Sequence, residues 1–275
     1  MITSALVLGS IAFPDYAPQG WSFKSLTDWW GQTADKNDVV ERPQGHGAFS
    51  APRSLRASRA ISFEVNYIGE SQAEVEEAFD ALSATGAEGP VLMTVATPAG
   101  ASWRIVKVEK VTPMQHRGGA KVGRAAVDCV ATDPRRYASG EWLTTAPPSA
   151  GQGATWPEVS PTIWPGGGSS GRIQLVNSGK APSAPTFRIN GPTPTALITC
   201  VENTLRVGFD RPIPAGSFVE IDFATRRALL DGQSDVSRWI RFREWTEVPG
   251  MMTRTFQLDA APGSSMAGMV NHAWW

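Results

Sequence analysis

The stretch DPRRYASGEWLTTAPPSAGQGATWPEVSPTIWPGGGSSGRIQLVNSG, residues 133–179, decides how the chain is organised. Asp133-Pro134-Arg135-Arg136-Tyr137 follows the strand-like run VGRAAVDCVAT (122–132) and closes it. Between Ala146 and Gly171 no hydrophobic period survives. Gly166-Gly167-Gly168-Ser169-Ser170 is flexible by composition, while Trp156 and Trp164 beside prolines suggest a segment pinned to a surface. At Arg172 the alternation resumes with RIQLVNSG. The reading is two unlike β-rich modules, 1–145 and 172–275, joined by a Gly/Pro-rich linker over 146–171.

Upstream, ISFEVNYI (61–68) places Ile61, Phe63, Val65 and Tyr67 on one face, the pattern of a half-buried strand. Ser71-Gln72-Ala73-Glu74 then has capping-box form, and Val75, Ala78, Phe79 and Leu82 recur at helical spacing. A helix is expected over 72–83, stopped by Gly86. Strands are expected at 90–96, 103–111 and 122–132, with turns at Pro98-Ala99-Gly100 and Gly118-Gly119. MITSALVLGSIAF lacks a basic leading segment and a small-residue cleavage site, so it reads as a first strand and not a signal peptide. Residues 17–56 have poor periodicity and hold Trp21, Trp29, Trp30 and Phe49, which suits a long loop or an extended arm. Those tryptophans admit three readings: satellite core, oligomer contact or ligand platform.

Downstream, eight short strand-like runs recur with turns at Gly179, Gly191, Gly216 and Gly232, the pattern of an antiparallel sandwich or jelly roll. Asp231-Gly232 is a hairpin signal. The fold class is mainly β, with one helix.

At 275 residues the chain is long enough for two cores, and its net charge of -1 is evenly divided. Residues 1–140 carry 14 basic and 15 acidic side chains, and residues 141–275 carry 11 of each. A basic surface for nucleic acid is therefore not expected, and no apolar run reaches the ~20 residues of a membrane span. Cys129 and Cys200 fall one in each module without metal-ligand spacing, so both read as buried thiols in a chain kept in the cytoplasm.

No catalytic, metal or cofactor site is expected. His46, His116 and His272 have no HxxxH or HxxE partner, and no GxSxG accompanies them. Glu220 and Asp222 could mimic paired glycosidase acids, yet Val219, Ile221 and Phe223 make them the solvent face of an ordinary strand. Arg238-Trp239-Ile240-Arg241-Phe242-Arg243 reads as a basic strand on a solvated sheet face.

Taken in order, these features resemble the distal tail proteins of long-tailed bacteriophages. The resemblance rests on Asp133-Pro134 with Tyr137, Asn177 and Gly179, Pro185 with Ile189 and Gly191, Ala215-Gly216 with Ile221-Asp222, and Asp231-Gly232. It implies a tail-tube-like sandwich or split barrel followed by a galectin-like jelly roll, in a structural virion protein. It also implies a six-membered ring at the tail tip, with tail tube protein, tail-associated hub protein and tape measure protein as partners. Ring contacts are expected on the arm, at Trp21, Trp29, Trp30 and Phe49. The alternative is a carbohydrate-binding module whose sugar-facing aromatics include Trp239 and Trp245, or the terminal Trp274 and Trp275.

Overall fold

The computed structural model describes residues 5–37, 40–49, 55–114, 121–151 and 167–275. The chain divides into two compact units, Met1–Ala138 with Trp275, and Ser139–Trp274.

The first unit opens as a hairpin where a single strand was expected. β1 (Ala5–Leu8) pairs with β2 (Ile11–Pro14) across Gly9-Ser10, and Gly9 supplies the positive φ of 59° that a two-residue turn requires. β3 (Gly20–Thr27), β4 (Arg59–Ile68), β5 (Val91–Thr97), β6 (Gly100–Met114) and β7 (Val122–Ala131) complete a sheet of order β2-β1-β5-β6-β7-β4-β3. β8 (Arg136–Ala138) pairs with β6 at Tyr137 and Trp103. At 15 residues β6 outruns its expected span, because it serves both halves of the sheet. Its Gly100–Val106 segment pairs with β5 and its Lys107–Met114 segment with β7, the latter interrupted by a bulge between Val108 and Lys110. A bulge bends a strand and increases its twist. The sheet accordingly curls until its two ends meet, with Phe13 of β2 edge-on to Trp21 of β3 at 5.5 Å.

Helix α1 (Gln72–Ala84) lies inside that curl. Ser71 caps it by accepting from the Glu74 backbone N–H at 3.3 Å. The Glu74 carboxylate reaches back to the Glu70 N–H at 2.7 Å and accepts from Tyr67 Oη at 2.9 Å, so the helix start is tied to β4. Val75, Phe79 and Leu82 form its buried stripe. The stripe sits directly over Gly123 of β7, where any Cβ would strike the Phe79 ring.

The second unit is a sandwich of two antiparallel sheets. Its strands are β9 (Leu143–Thr145), β10 (Arg172–Asn177), β11 (Pro185–Asn190), β12 (Ala196–Cys200), β13 (Arg206–Phe209) and β14 (Phe218–Asp222). They are followed by β15 (Arg227–Leu230), β16 (Ser234–Asp235), β17 (Ile240–Arg241), β18 (Met252–Ala260) and β19 (Ser265–Val270), with a short β20 (His272–Trp274) outside both sheets. One sheet runs β10-β18-β12-β13-β17 and the other β16-β15-β14-β11-β19-β9. Between them pack Ile173, Leu175, Phe187, Ile198, Val207, Ile221 and Phe256, all inward members of alternating strands. The Asp231-Gly232 signal forms a hairpin between β15 and β16, with φ of 50° and 71° at the two residues.

Two sequence expectations change here. Arg238–Arg243 is not one basic strand: Ser237–Trp239 is a 3-10 turn, only Ile240–Arg241 pairs, and Phe242 has a left-handed φ of 49°. The stretch 146–171 joins two strands of the second unit, β9, which pairs with β19, and β10, which pairs with β18. Its described ends are tied together, with the Ser149 N–H donating to the Ser169 carbonyl at 2.9 Å and Ser169 Oγ donating to the Ala146 carbonyl at 2.7 Å. Residues 152–166, with Trp156 and Trp164, lie outside the described residues, as do His116 and the expected turn at Gly118-Gly119.

Candidate assembly surface

The segment between β3 and β4 is a paired arm. Lys36 and Ala57 donate to the carbonyls of Leu55 and Ala34 at 2.7 and 3.0 Å. Farther out, Phe49 N–H donates to Val40 O at 2.9 Å and Arg42 N–H to Gly47 O at 3.0 Å. Ladder bonds at both levels make it a two-stranded extension. Among its described residues Val40, Phe49 and Leu55 are exposed, and a two-stranded ribbon alone is marginal in water.

Its base is clamped by two buried arginines. Arg59 donates to the carbonyls of Asp28, Trp30, Gly31 and Pro134, at 2.9, 3.3, 2.7 and 3.3 Å respectively. Arg104 donates to the carbonyls of Trp29 at 2.8 Å and Pro134 at 3.3 Å, and its guanidinium sits 4.5 Å from the centre of the Trp29 ring. Burial, reinforced by the neighbouring Arg59 and Arg136 charges, pushes the Arg104 pKa down to about 9. It remains cationic at neutral pH, and carbonyl dipoles and an aromatic face solvate it in place of water. Asp28 and Gly31 make the turn that aims these carbonyls inward, with φ of 62° and 93°.

The Asp133-Pro134-x-x-Tyr137 element acquires a structural reason. Pro134 supplies the carbonyl that both arginines share. Asp133 accepts from Tyr137 Oη at 2.7 Å and from the Arg135 guanidinium at 2.9 Å, and the Tyr137 ring stacks on Trp103 at 5.0 Å. Burial alone would raise the Asp133 pKa, but the Arg135 bonds and charge, with the Tyr137 hydroxyl, outweigh it and hold the carboxyl below its usual range.

The four arm residues therefore have different surroundings. Trp29 is 0% exposed, its Nε1 donating to Ser102 Oγ at 3.3 Å. Trp21 packs among Phe13, Tyr67 and Phe79. Trp30, at 53% exposed, and Phe49, at 59%, stand in solvent with Val40 and Leu55. Sequence alone could not separate Trp29 from its neighbour Trp30, because both lie in an unpatterned stretch.

A second apolar surface lies on the outer face of β1-β5-β6. Cross-strand pairing sets Leu92 against Ile105, and Thr94 against Trp103 on one side and Val7 on the other. Leu92 and Ile105 are both about half exposed, and none of these five residues is charged. The outer face of β3-β4-β7 is the opposite in character. There Lys24 pairs with Glu64 at 2.8 Å and Ser62 donates to Asp128 at 2.6 Å.

In the second unit Trp245 is partly buried, edge-on to Phe223 at 5.1 Å, while Trp239 lies at the surface with the Arg238 guanidinium 5.3 Å from its ring. Glu220 is ion-paired with Arg188 at 2.9 Å, and Asp222 accepts from the Ala224 N–H at 2.8 Å in a turn. Their partners give them a surface role unlike that of a reacting acid pair. Cys129 and Cys200 are buried free thiols, and burial pushes the Cys129 pKa up to about 12. Among the described residues there is no cluster of His, Cys, Asp and Glu able to hold a metal, and no helix long and apolar enough to cross a membrane.

Fold and surfaces together define a mainly β protein of two units, a curled sheet bearing an exposed arm and a β-sandwich. That is the fold of phage distal tail proteins. The chain superposes on the Dit protein of phage SPP1, described as a paradigm of the hub adsorption apparatus of phages infecting Gram-positive bacteria. The TM-score is 0.65 at 11% identity, and the match covers 99% of each chain. A chain of the phage P2 baseplate in its calcium-activated conformation matches with a TM-score of 0.60 at 12% identity, over 99% of this chain and 98% of that one. No family model matches the sequence, and no curated protein matches it.

Proposed function

We propose that this protein is a structural component of a phage tail tip, a ring-forming adaptor between the tail tube and the hub that carries receptor-binding components. The observation that carries the reading is the end-to-end superposition on a distal tail protein, which spans 99% of both chains and so includes both units. The exposed arm supports it from this chain's own chemistry. A closed ring needs one heterologous interface, made of two different surfaces of the same chain. The arm, with Trp30, Val40, Phe49 and Leu55, supplies one surface. The uncharged patch of Val7, Leu92, Thr94, Trp103 and Ile105 on β1-β5-β6 supplies the other. Six copies, as the resemblance implies, make the ring, and tail tube, hub and tape measure proteins are its partners. The first unit closes the ring, and the protein resides in the virion without catalysing a reaction.

Negative-stain images and mass measurement of the purified chain test this. A closed ring of six is expected, alone or on adding tail tube protein. A chain that stays monomeric at high concentration and with tube protein present overturns the reading.

A further inference from the structure

The outer face of the sheet β10-β18-β12-β13-β17 carries a groove that the adaptor role does not use. Its register is explicit. Asp259 of β18 pairs with Leu197 of β12, Leu197 with Gly208 of β13, and Gly208 with Arg241 of β17. These four residues form one row across four strands. Three strand spacings of about 4.8 Å set Asp259 and Arg241 about 14 Å apart at the backbone. Between them Leu197 and Gly208 make a low floor, and the open groove has a volume of about 460 Å³. That lies within the range of about 300–1,000 Å³ typical of small-ligand sites.

The walls have a mixed chemistry. Phe242 is 50% exposed although its backbone is left-handed at φ 49°, an arrangement a bulky residue rarely adopts. Its ring rests over Gly208, where a Cβ would come within 3.2 Å of it, and the Arg206 guanidinium lies 4.7 Å from its centre. The following turn is pinned to β13, with Glu244 N–H donating to Arg206 O at 3.1 Å and Arg206 N–H donating to Glu244 Oε2 at 2.9 Å. Beside the ring, Arg241 pairs with Asp210 at 2.7 Å. Across the floor, the exposed Asp259 carboxylate has no side-chain partner among the described residues.

We propose that this groove binds one uncharged hexopyranose unit of a polysaccharide. A pyranose has an apolar C–H face, which matches the exposed part of the Phe242 ring and the Leu197 floor, and a rim of hydroxyls. Hydroxyl pairs donate to Asp259 and Asp210, and Arg241 donates to a ring or hydroxyl oxygen. The other ligand classes fit less well. An acidic sugar or a phosphate meets Asp259, whose charge Arg241 does not cancel because Asp210 already does. A purely apolar ligand would strip water from Asp259 without replacing its hydrogen bonds. The residues differ from the tryptophans singled out in the sequence: neither Trp239 nor Trp245 lines the groove. Phe242 was hidden because it read as one member of a regular strand.

Saturation-transfer NMR of the full chain with the methyl glycosides of glucose, galactose, mannose and N-acetylglucosamine tests the site. Transfer from at least one of them is expected, with a Kd of roughly 1–10 mM, the weak end of ligand affinity. Phe242→Ala and Asp259→Asn should each weaken it about tenfold, and Gly208→Leu should abolish it by filling the floor. Trp239→Ala should leave it unchanged. All four variants are checked for an unaltered melting temperature, and the two at exposed side chains, Phe242→Ala and Asp259→Asn, decide the case should Gly208→Leu not fold. Absence of transfer from all four glycosides, transfer that survives both Phe242→Ala and Asp259→Asn, or equal binding of a methyl glucuronide overturns the proposal. Ring formation is scored separately by electron microscopy, so failure of this site and failure of the adaptor reading are distinct results.

Discussion

Replacing Trp29 and Trp30 one at a time separates anchoring of the arm from its display. Trp29 is fully enclosed, donates to Ser102, and offers its ring to the buried Arg104. Truncation to Ala removes a large buried side chain, which costs about 3–5 kcal/mol. The cation–π contact, worth about 2 kcal/mol when desolvated, falls within that total, since contacts sharing one residue do not add. In a unit of about 138 residues, where each kcal/mol moves the midpoint by about 3 °C, the first unit's Tm should fall by about 10–15 °C. Trp30→Ala, at an exposed site, should alter monomer stability by no more than about 0.5 kcal/mol. Trp29→Phe restores the ring without the N–H donor and should cost only about 1 kcal/mol through the unpaired Ser102 hydroxyl. The assay is calorimetry at low protein concentration, where association contributes nothing, with near-UV circular dichroism as a second probe. A Trp29→Ala melting point within about 2 °C of the parent, or a Trp30→Ala loss as large as that of Trp29→Ala, would refute this account of the arm's base.

Trp30→Asp combined with Phe49→Asp should leave the monomer folded by circular dichroism while weakening the proposed ring assembly by more than tenfold, read by mass photometry across a dilution series. The depressed pKa of Asp133 contributes stability that is present above the unfolded value near ~3.9 and lost as pH falls through the lower folded value. Asp133→Asn should therefore flatten the stability profile below about pH 4 in urea titrations, and an unchanged acid limb would contradict this. Gly123→Val should cost about 1–3 kcal/mol by driving a side chain into Phe79 and displacing α1, measured by urea unfolding. Thiol titration should find Cys129 inert in the native protein, because burial raises its pKa to about 12, and both cysteines reactive once the chain is unfolded.

The sequence by itself determined what local period and short-range chemistry encode. Ser71 with Glu74, followed by Val75, Phe79 and Leu82, specified α1 to within a residue, since a cap and an apolar stripe are both written within a few turns. Alternation specified β4, β5 and β7, and Asp231-Gly232 specified its hairpin, for the same reason. The tertiary structure decided everything that depends on which distant strands become neighbours. The curl that brings Phe13 to Trp21 follows from the pairing of β6 with both β5 and β7, through a bulge that no local pattern marks. The arm looked unpatterned because its ladder bonds join the backbones of residues 34–36 to 55–57 and 40–42 to 47–49, and backbone bonds impose no side-chain period. Trp29 and Trp30 are adjacent and alike in the sequence, yet one is core and the other surface, because Arg59 and Arg104, from strands far along the chain, grip the turn between them. The groove is legible least of all. Asp259, Leu197, Gly208 and Arg241 come from four separate strands, and only their register places them in one row.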